Sequence, residues 1–406
     1  MAEFHVDMGP QYEGETVRKE DLYVEFGGPK VKSKFELVTL KNPEEVEHEK
    51  VEVIGPDIKD MQEVGSYPLA VLVDVAGEQL EKDMEPVIER RIHMYCNYIE
   101  GLYHMNQRQD IWIRLNKSSF KKGLNSLKEI GDMLIFLYTS ELPVIEKISI
   151  TFITDEKKVE ELLPQALKVY EARDERLRGL RDEDVDTFYG CVLCQSFAPT
   201  HICFITPDRV ANCGAINWFD GRAAYKLDPE GPVFAVPKGE LVDPVKGEYS
   251  GIDEIAKERS LGSFDQVYLY SAFEHPHTSC GCFQSICFYI PEVDAFGIVH
   301  RDFVGDTVAG LPFSKMAGTT SGGKQVEGSC GMALELVRSS KFFQADGGIR
   351  RVVWMPKAIK ERYKDAIPKD LYDKIATEED AKTAEELAAF LEKVGHPWIK
   401  GEVELP

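Results

Sequence analysis

Blocks of apolar and polar residues follow one another from residue 67 onward, and they predict strands and helices in alternation. A continuous apolar run at 69–76, LAVLVDVA, is typical of a strand that is buried on both faces. Apolar residues at helical spacing follow it, and the pattern then repeats. The further predicted elements are a helix over 83–103, a strand at 111–115, a helix over 118–139, a strand at 147–153 and a helix capped by Asp155. This alternation predicts a βαβ-type α/β domain.

A charged segment at 171–186, EARDERLRGLRDEDVD, follows this domain, and we place the domain boundary near residue 184. We expect an N-terminal domain over 1–184 and a second domain over 185–406, both of them Rossmann-like α/β domains with mixed α and β elements. Glycine, proline and aromatic residues are frequent in the second domain to about residue 330, as expected where loops surround a cofactor. Its last predicted elements are a helix near 331–340, a strand at 349–354 and a helix that begins at Thr383 and stops at Gly395.

The composition is that of an ordinary folded protein, but the net charge is strongly negative. The 406 residues are 43% hydrophobic and carry a net charge of −22, which argues against nucleic-acid and anionic-membrane partners because both need a basic surface. No apolar run approaches a membrane-spanning length, and the N-terminal sequence lacks the basic and apolar regions of a signal peptide. We therefore expect a cytoplasmic protein, in which clustered cysteines indicate metal binding or catalysis rather than disulfides.

Four of the nine cysteines lie within residues 191–213. Cys191 and Cys194 form a Cys-x-x-Cys pair, and Cys203 and Cys213 follow after gaps of eight and nine residues. Four thiolates spaced in this way can hold a [4Fe–4S] cluster, because one turn supplies two ligands and the chain returns twice. A zinc site with four cysteines also uses Cys-x-x-Cys, although zinc ribbons usually pair two such turns. The spacing favours iron–sulfur and leaves zinc, or a site without metal, open.

Two further cysteines are separated by a single glycine, in Cys280-Gly281-Cys282. Two thiolates so close together cannot span a tetrahedral metal comfortably. With the two intervening backbone amide nitrogens, however, they can form a square-planar chelate that suits Ni(II) or Cu(II). A glycine in the middle leaves room for the flattened chelate. The simpler interpretation is a strand with two cysteines on one face, and the residue pattern leaves it open.

Both cysteine groups resemble the A-cluster motif of acetyl-CoA synthase in their spacing and in the residues around them. The matching runs are CVLCQSFAPTHIC at 191–203, NCGAINWFD at 212–220, GEYSG at 247–251 and HTSCGC at 277–282. The close match covers about 190–285, and weaker similarity extends over the chain. From the resemblance we expect the chain to lack the N-terminal domain with which the bacterial enzyme docks carbon monoxide dehydrogenase. In that respect it is similar to the β subunit of the archaeal acetyl-CoA decarbonylase/synthase complex.

The resemblance implies a set of metal ligands. The implied ligands of a [4Fe–4S] cluster are Cys191, Cys194, Cys203 and Cys213. The implied ligands of a distal nickel are the sulfurs of Cys280 and Cys282 and the backbone nitrogens of Gly281 and Cys282. Cys194, Cys280 and Cys282 would also hold a proximal nickel that keeps an open position, as a catalytic metal requires. Phe197 matches a family phenylalanine beside that position, and an ordinary core aromatic is the alternative.

The implied activity is that of an acyltransferase, a CO-methylating acetyl-CoA synthase of the anaerobic Wood–Ljungdahl pathway of carbon fixation. The implied substrates and partners are CO, CoA or acetyl-CoA, and a corrinoid iron–sulfur protein that donates a methyl group. Carbon monoxide dehydrogenase is a further implied partner. Two other classes stay open: an electron-transfer or sensing protein with a [4Fe–4S] cluster and no nickel, and a zinc-stabilised scaffold.

Binding of CoA requires cations for its phosphates. The densest basic group of this acidic chain consists of Arg90, Arg91, Arg108, Arg114 and Lys117. We expect the first four to bind CoA, facing a metal cluster that the C-terminal domain presents to the interdomain cleft. The alternative is that they pair with nearby carboxylates, as helix charges commonly do.

Two other features are expected to be structural, and the role of a third, His201, is left open. Cys96, Cys287 and Cys330 stand singly among apolar residues and are predicted to be buried core thiols. The run GTTSGGKQ at 318–325 nearly matches a phosphate-binding loop, but Gln325 replaces the hydroxyl residue that holds Mg²⁺. We therefore expect a glycine-rich loop packed near the metal site. His201 is either a hydrogen-bonding neighbour of the cluster or an ordinary loop residue.

Overall fold

The computed structural model describes residues 21–195 and 197–406, and the chain divides there into two compact units. The first unit extends to Arg178 and also contains Phe219–Val233, and the second contains Gly179–Trp218 and Phe234–Pro406. The predicted boundary near 184 lies close to this division, but the sequence pattern did not predict the return of 219–233 to the first unit. The inference that the N-terminal sequence is not a signal peptide concerns residues 1–20, which lie outside the described residues.

Two four-stranded sheets and five helices are described in the first unit. Its strands are β1 (Leu22–Gly27), β2 (Lys34–Leu40), β3 (Lys50–Ile54), β4 (Gly65–Tyr67), β5 (Leu69–Ala76), β6 (Leu102–Met105), β7 (Trp112–Asn116) and β8 (Lys147–Ile153). Its helices are α1 (Glu85–Tyr98), α2 (Lys117–Lys121), α3 (Leu127–Glu141), α4 (Glu156–Glu175) and α5 (Trp218–Leu227), whose first residue belongs to the second unit. The sheet orders are β4-β1-β7-β6 and β2-β5-β8-β3.

The strands of the β2-β5-β8-β3 sheet do not all run in one direction. Strand β5 pairs with β2 in parallel and with β8 antiparallel, with Leu72 opposite Thr151 in the second pairing. The prediction of mixed α and β elements is confirmed, but a Rossmann-like parallel sheet is not. The apolar run at 69–76 correctly predicted that β5 is largely buried. Burial does not determine strand direction, because a buried strand can pair with parallel or antiparallel neighbours.

Two predicted helices of the first unit have different bounds in the structure. The helix predicted over 83–103 ends at Tyr98, and the chain turns at Gly101, with φ +75°, into strand β6. The helix predicted over 118–139 is divided into α2 and α3, because Gly123 has φ +111° and Ser126 caps a new helix by accepting from the Lys128 amide. Strands β5 and β8 and the Asp155 cap of α4 are confirmed.

Buried ion pairs tie α4 to the rest of the first unit. The Arg173 guanidinium lies 3.2 Å from Glu85 and 3.0 Å from Glu89, both on α1. Arg108 donates two hydrogen bonds from Nη1 to the Asp174 carboxylate, at 2.8 and 3.0 Å. All these side chains are buried, so each charge depends on its partner.

The second unit contains the clustered cysteines. Its strands are β9 (Thr187–Cys191), β10 (Cys203–Ile205), β11 (Val233–Pro237), β12 (Leu241–Asp243), β13 (Glu248–Tyr249), β14 (Ser285–Ile290), β15 (Ala295–His300), β16 (Ser329–Met332) and β17 (Val352–Trp354). Its helices are α6 (Ser250–Arg259), α7 (Phe313–Thr320), α8 (Lys357–Arg362), α9 (Lys369–Tyr372) and α10 (Ala384–Val394). The sheet orders are β10-β9-β11, β12-β13 and β16-β14-β15-β17.

Strand pairing in the second unit places the cysteine loops at the ends of strands. Cys191, the last residue of β9, lies opposite Cys203, the first residue of β10. Strand β14 begins three residues after Cys282 and pairs antiparallel with β15 and β16. Both sheets that carry the cysteine loops contain antiparallel pairs, so a Rossmann-like sheet is not confirmed in this unit either.

The C-terminal elements were predicted with mixed success. The region predicted as a helix near 331–340 contains the end of β16 and a 3₁₀ helix at Leu334–Arg338. The strand predicted at 349–354 is the shorter β17, preceded by a 3₁₀ turn at Gly348–Arg351. Helix α10 begins after Thr383, whose side chain accepts from the Glu386 amide, and ends at Gly395 with φ +62°, as predicted. Among the helices of the described residues, none has the length and apolar content needed to cross a bilayer.

Replacing Asp174 by Asn should destabilise the first unit by about 3 kcal/mol, because the Arg108 charge would stay buried without its counterion. Chemical denaturation of the apo chain measures this effect. The matched control is Asp132→Asn, which removes a solvent-exposed ion pair with Lys128 one helical turn away and should change stability little. Equal effects of the two substitutions would contradict the assignment of Arg108 and Asp174 as a buried pair that stabilises the fold.

Candidate metal centre

The four cysteines of the first group lie on two strand ends and two turns. Cys191 and Cys203 face each other across β9 and β10. The turn that carries Cys194 is closed by the Ala198 amide, which donates to the Cys194 carbonyl at 2.8 Å. The turn that carries Cys213 is closed by the Gly214 amide, which donates to Ala211 at 2.7 Å. All four thiols are buried, and the cross-strand pair places two of them side by side.

The sulfur of Cys203 accepts a backbone hydrogen bond and is influenced by two neighbouring cysteines. Its sulfur accepts from the backbone amide of Asn212 at 3.2 Å. Burial raises the pKa of the Cys203 thiol, and the proximity of Cys191 and Cys213 raises it further. Thiolates in this environment repel one another, and a bound cation is the usual agent that reverses such an effect.

The Cys280-Gly281-Cys282 segment folds back on itself. The Cys282 amide donates to the Cys280 sulfur at 3.2 Å, so a nitrogen and a sulfur of the predicted chelate already face each other. Gly281 has φ +134°, a conformation that L-residues rarely adopt. A Cβ atom at this position would lie 2.3 Å from Cε1 of Phe197, so the Phe197 ring packs directly on the glycine. The alternative of a strand with two cysteines on one face does not hold, because 280–282 lie outside the strands.

The two cysteine groups meet at Cys194 and Cys280. Hydrogen bonds with the side chains of Cys194 and Cys282, followed by burial, raise the pKa of the Cys280 thiol well above its ordinary value. The structure therefore brings three sulfurs together from two segments that are far apart in sequence. None of the nine cysteines, all of which lie among the described residues, forms a disulfide.

Polar side chains connect the two cysteine-bearing segments. His277 Nε2 accepts from the Phe204 amide at 3.0 Å, and Nδ1 donates to the Thr278 carbonyl at 2.7 Å. Burial, with the nearby Arg209 charge, holds the pKa of His277 well below its usual value, so the ring is neutral. Asn212 Nδ2 donates to the same Thr278 carbonyl at 3.1 Å, and the Thr278 hydroxyl lies 2.9 Å from His201 Nδ1. His201 thus belongs to this frame, through Thr278.

A glycine-rich loop packs on the Cys-Gly-Cys segment, as predicted. The Gly322 amide donates to the Cys280 carbonyl at 3.3 Å, and the Gly323 amide donates to Ser279 at 2.9 Å. Thr200 donates from its hydroxyl to the Gly323 carbonyl at 2.9 Å, so the loop also holds the segment that follows Cys194. A side chain at Gly323 would collide with Thr200, since its Cβ would lie 2.5 Å from Oγ1.

Arg301 is a site residue that the sequence analysis did not identify. Its Nη2 donates to the carbonyl oxygens of Gly281 and Phe283, the second at 3.0 Å. No short motif marks this residue. A register prediction for the 285–300 hairpin could have found it, because it follows the last residue of β15.

The arginines predicted to bind CoA are engaged within the first unit. Arg90 is buried and donates to the Asn106 carbonyl at 3.0 Å, and Arg108 is paired with Asp174. Arg91 is buried, and Arg114 stacks 3.9 Å above the Trp112 ring and lies 3.5 Å from Glu25. Lys117 forms an ion pair with Glu63. Arg90, Arg108, Arg114 and Lys117 therefore all contact carboxylates, a carbonyl or an aromatic ring, and the binding of CoA by Arg90, Arg91, Arg108 and Arg114 stays a prediction.

The three single cysteines are core residues, as predicted. Cys287 and Cys330 lie opposite each other on β14 and β16, and both belong to the apolar core of the second unit. Cys96 is buried on α1 in the first unit.

Two family models describe most of the chain. Residues 170–403 match the family described as the C-terminal part of the ACS/CODH beta subunit, and residues 4–159 match the family described as CO dehydrogenase/acetyl-CoA synthase complex beta subunit. The chain belongs to this family of β subunits. The predicted resemblance to acetyl-CoA synthase β subunits is thereby confirmed.

Relatives of the family in archaea match the chain over its whole length. The acetyl-CoA decarbonylase/synthase complex subunit beta of Methanopyrus kandleri is 56% identical over 100% of this chain and 87% of the relative. The same subunit of Archaeoglobus fulgidus is 57% identical over 99% of this chain and 77% of the relative. The solved C-terminal domain of the acetyl-Coenzyme A synthase alpha subunit is 38% identical over 30% of this chain and 96% of its own, with a TM-score of 0.28. The two archaeal relatives are subunits of an acetyl-CoA decarbonylase/synthase complex.

Replacing Gly281 by Ala should destabilise the folded second unit by at least about 1–2 kcal/mol, because a Cβ is strained at this φ and overlaps Phe197. Thermal unfolding of the apo chain provides the measurement. Gly310→Ala is the matched control, since Gly310 also has a positive φ, +70°, but nothing lies within 4 Å of an added Cβ. If Gly281→Ala cost no more than Gly310→Ala, the close packing of Phe197 on this loop would be refuted.

Proposed function

We propose that the chain is an acetyl-CoA synthase that reversibly assembles acetyl-CoA from CO, a corrinoid-bound methyl group and CoA at a Ni–Ni–[4Fe–4S] centre. The meeting of the Cys194, Cys280 and Cys282 side chains carries this proposal. Three thiols from two distant segments lie together, although an apolar core does not need clustered thiols for its stability. Such a set of sulfur ligands is typical of a site for a soft metal.

We assign the ligands from this arrangement and the family resemblance. The [4Fe–4S] cluster would be held by Cys191, Cys194, Cys203 and Cys213. The distal nickel would be held by the sulfurs of Cys280 and Cys282 and the backbone nitrogens of Gly281 and Cys282. The proximal nickel would be held by Cys194, Cys280 and Cys282, which leaves it an open position for a substrate.

The residues present fit these groups by their chemistry. The Asn212 backbone amide already donates a hydrogen bond to the Cys203 sulfur, as is common for thiolate ligands of iron–sulfur clusters. Gly281 has no side chain, so it can adopt the φ of +134° with which the Cys-Gly-Cys segment folds back on itself. The six thiols are buried, which keeps water from competing for the metals.

When bound, the nickel pair would supply an electron-rich centre at which a methyl group and CO are joined and passed to the CoA thiolate, so the activity is that of a CO-methylating acyltransferase. The chain's own residues fix and shield this centre. Phe197, half-buried against Gly281, would form a wall that limits the size of ligands beside the open position. The frame of His277, Thr278 and Asn212 would keep the two cysteine segments at a fixed separation.

The proposed partners follow from the reaction. A corrinoid iron–sulfur protein would deliver the methyl group, and carbon monoxide dehydrogenase would be the source of CO. The net charge of −22 argues against a nucleic acid or an anionic membrane as a further partner.

Metal analysis of anaerobically purified protein should give about four iron and two nickel per chain, the content of the proposed centre. Cys282→Ala should lose nickel and keep iron, because it removes a ligand of both nickel ions and none of the cluster. The same preparation should lose exchange of the acetyl-CoA carbonyl with CO by at least about 100-fold, as expected when a metal ligand is removed.

The matched control is Cys287→Ala, a buried core thiol only five positions further along the chain, which should leave both metals in place. Iron without nickel in the wild-type protein would favour an electron-transfer or sensing protein with a [4Fe–4S] cluster. Zinc alone would favour a zinc-stabilised scaffold. Either result would overturn the proposal.

A further inference from the structure

We propose that Arg301 is a positioning residue for the distal nickel, and that its guanidinium offsets the negative charge of the metal-bound peptide between Gly281 and Cys282. This inference rests on the proposed function, because it requires that backbone nitrogen to be a nickel ligand.

The strand register of the second unit brings Arg301 to the Cys-Gly-Cys segment. Strands β14 and β15 pair so that Ser285 lies opposite His300, and the Arg301 amide then donates to the Gln284 carbonyl at 3.0 Å. Arg301 is the residue after the end of β15, and its partner segment is the chain that enters β14 directly after the cysteines. The side chain therefore extends back along residues 281–283.

The guanidinium spans both sides of Cys282. Nη2 donates to the Gly281 carbonyl, which precedes Cys282, and to the Phe283 carbonyl at 3.0 Å, while Nε lies 3.3 Å from the same Phe283 oxygen. The rings of Phe283 and Phe313 lie 5.6 and 4.9 Å from the guanidinium carbon, within range of cation–π contacts. The side chain is 8% exposed, so its charge is largely shielded from solvent.

The position of this cation matches the chemistry of an amide that binds a metal through nitrogen. When the metal takes the Cys282 nitrogen, the N–H bond breaks, an Ni–N bond forms and the proton passes to water. The negative charge left on the peptide is shared between nitrogen and the carbonyl oxygen of the same peptide. That oxygen belongs to Gly281, and it is the atom to which Arg301 donates.

A charged donor is needed here more than a neutral one. Two thiolates and two deprotonated amides bring more negative charge to the distal site than Ni(II) cancels, and buried excess charge is costly unless a counterion lies close by. Hydrogen bonds that involve charged groups are about twice as strong as neutral ones. Arg301 would thus stabilise the planar chelate through its charge, without touching a substrate or the reacting atoms.

The test compares Arg301→Gln and Arg301→Lys in the full-length chain, reconstituted anaerobically with iron, sulfide and nickel. Glutamine can still donate a hydrogen bond but carries no charge, whereas lysine keeps the charge. Nickel affinity is measured by competition with a chelator of known affinity, and the planar coordination by the nickel K-edge X-ray absorption spectrum. Iron content and thermal unfolding report whether the variants are folded.

We expect Arg301→Gln to lower nickel affinity by about 10- to 100-fold and to weaken the planar-nickel signature, the range typical for groups that support a metal ligand. Iron content should not change, and Arg301→Lys should recover most of the lost nickel affinity. The matched control is Arg351→Gln. Arg351 is also buried, also donates to two backbone carbonyls, of Asp294 and Asp346 at 3.0 Å each, and also lies against aromatic rings. It differs in that it also pairs with the Asp294 carboxylate and is remote in sequence from the six clustered cysteines.

Wild-type nickel affinity in Arg301→Gln would overturn the inference, as would a loss in folded Arg301→Lys as large as that in Arg301→Gln, since the charge would then not matter. If the glutamine variant does not fold, a loss of nickel affinity of about 10-fold or more in folded Arg301→Lys would equally overturn the inference, because lysine keeps the charge. These outcomes differ from failure of the proposed function, in which the wild-type chain itself would bind no planar nickel.

Discussion

The crowding of six thiols in one buried region is the constraint on which the rest of the site depends. Burial and neighbouring cysteines raise the pKa of the Cys203 and Cys280 thiols, so ionisation of these thiols is disfavoured without a cation. Clustering of thiols is not needed to stabilise an apolar core, because core cysteines are normally dispersed among other apolar residues. Two strand ends, three turns and a frame of polar side chains nevertheless position these sulfurs close together.

Hydrogen bonds to backbone carbonyls hold the Cys-Gly-Cys segment in position. The Gly322 and Gly323 amides hold the carbonyls of Cys280 and Ser279, and Arg301 holds the carbonyl of Gly281. Such contacts orient the backbone itself, which is the part of the chain that a chelate with amide nitrogens must present to a metal. Phe197 then closes one side of the glycine. Rigid support of this kind is what a metal ligand set needs in order to keep its geometry.

The candidate ligand residues could be identified from sequence because the cysteines stand at short, recognisable spacings. Cys191 and Cys194 share one turn, and Cys280 and Cys282 share one glycine, so each pair is recognisable without knowledge of the fold. The supporting residues could not be predicted in this way. Arg301 reaches Gly281 only because β14 and β15 pair in one register, and the CoA prediction for Arg90 and Arg108 could not anticipate that both are buried with partners in the first unit. Apolar runs likewise located β5 and β8 but gave no information on their antiparallel pairing.

In the proposed site, both cysteine groups bind parts of one metal assembly. Anomalous diffraction from anaerobic crystals of the reconstituted chain, recorded at the iron and nickel absorption edges, tests it most directly. The account predicts iron peaks among Cys191, Cys194, Cys203 and Cys213, and two nickel peaks, one enclosed by Cys280, Gly281 and Cys282 and one between these residues and Cys194. Nickel peaks elsewhere, or no metal peak at residues 280–282, would contradict it.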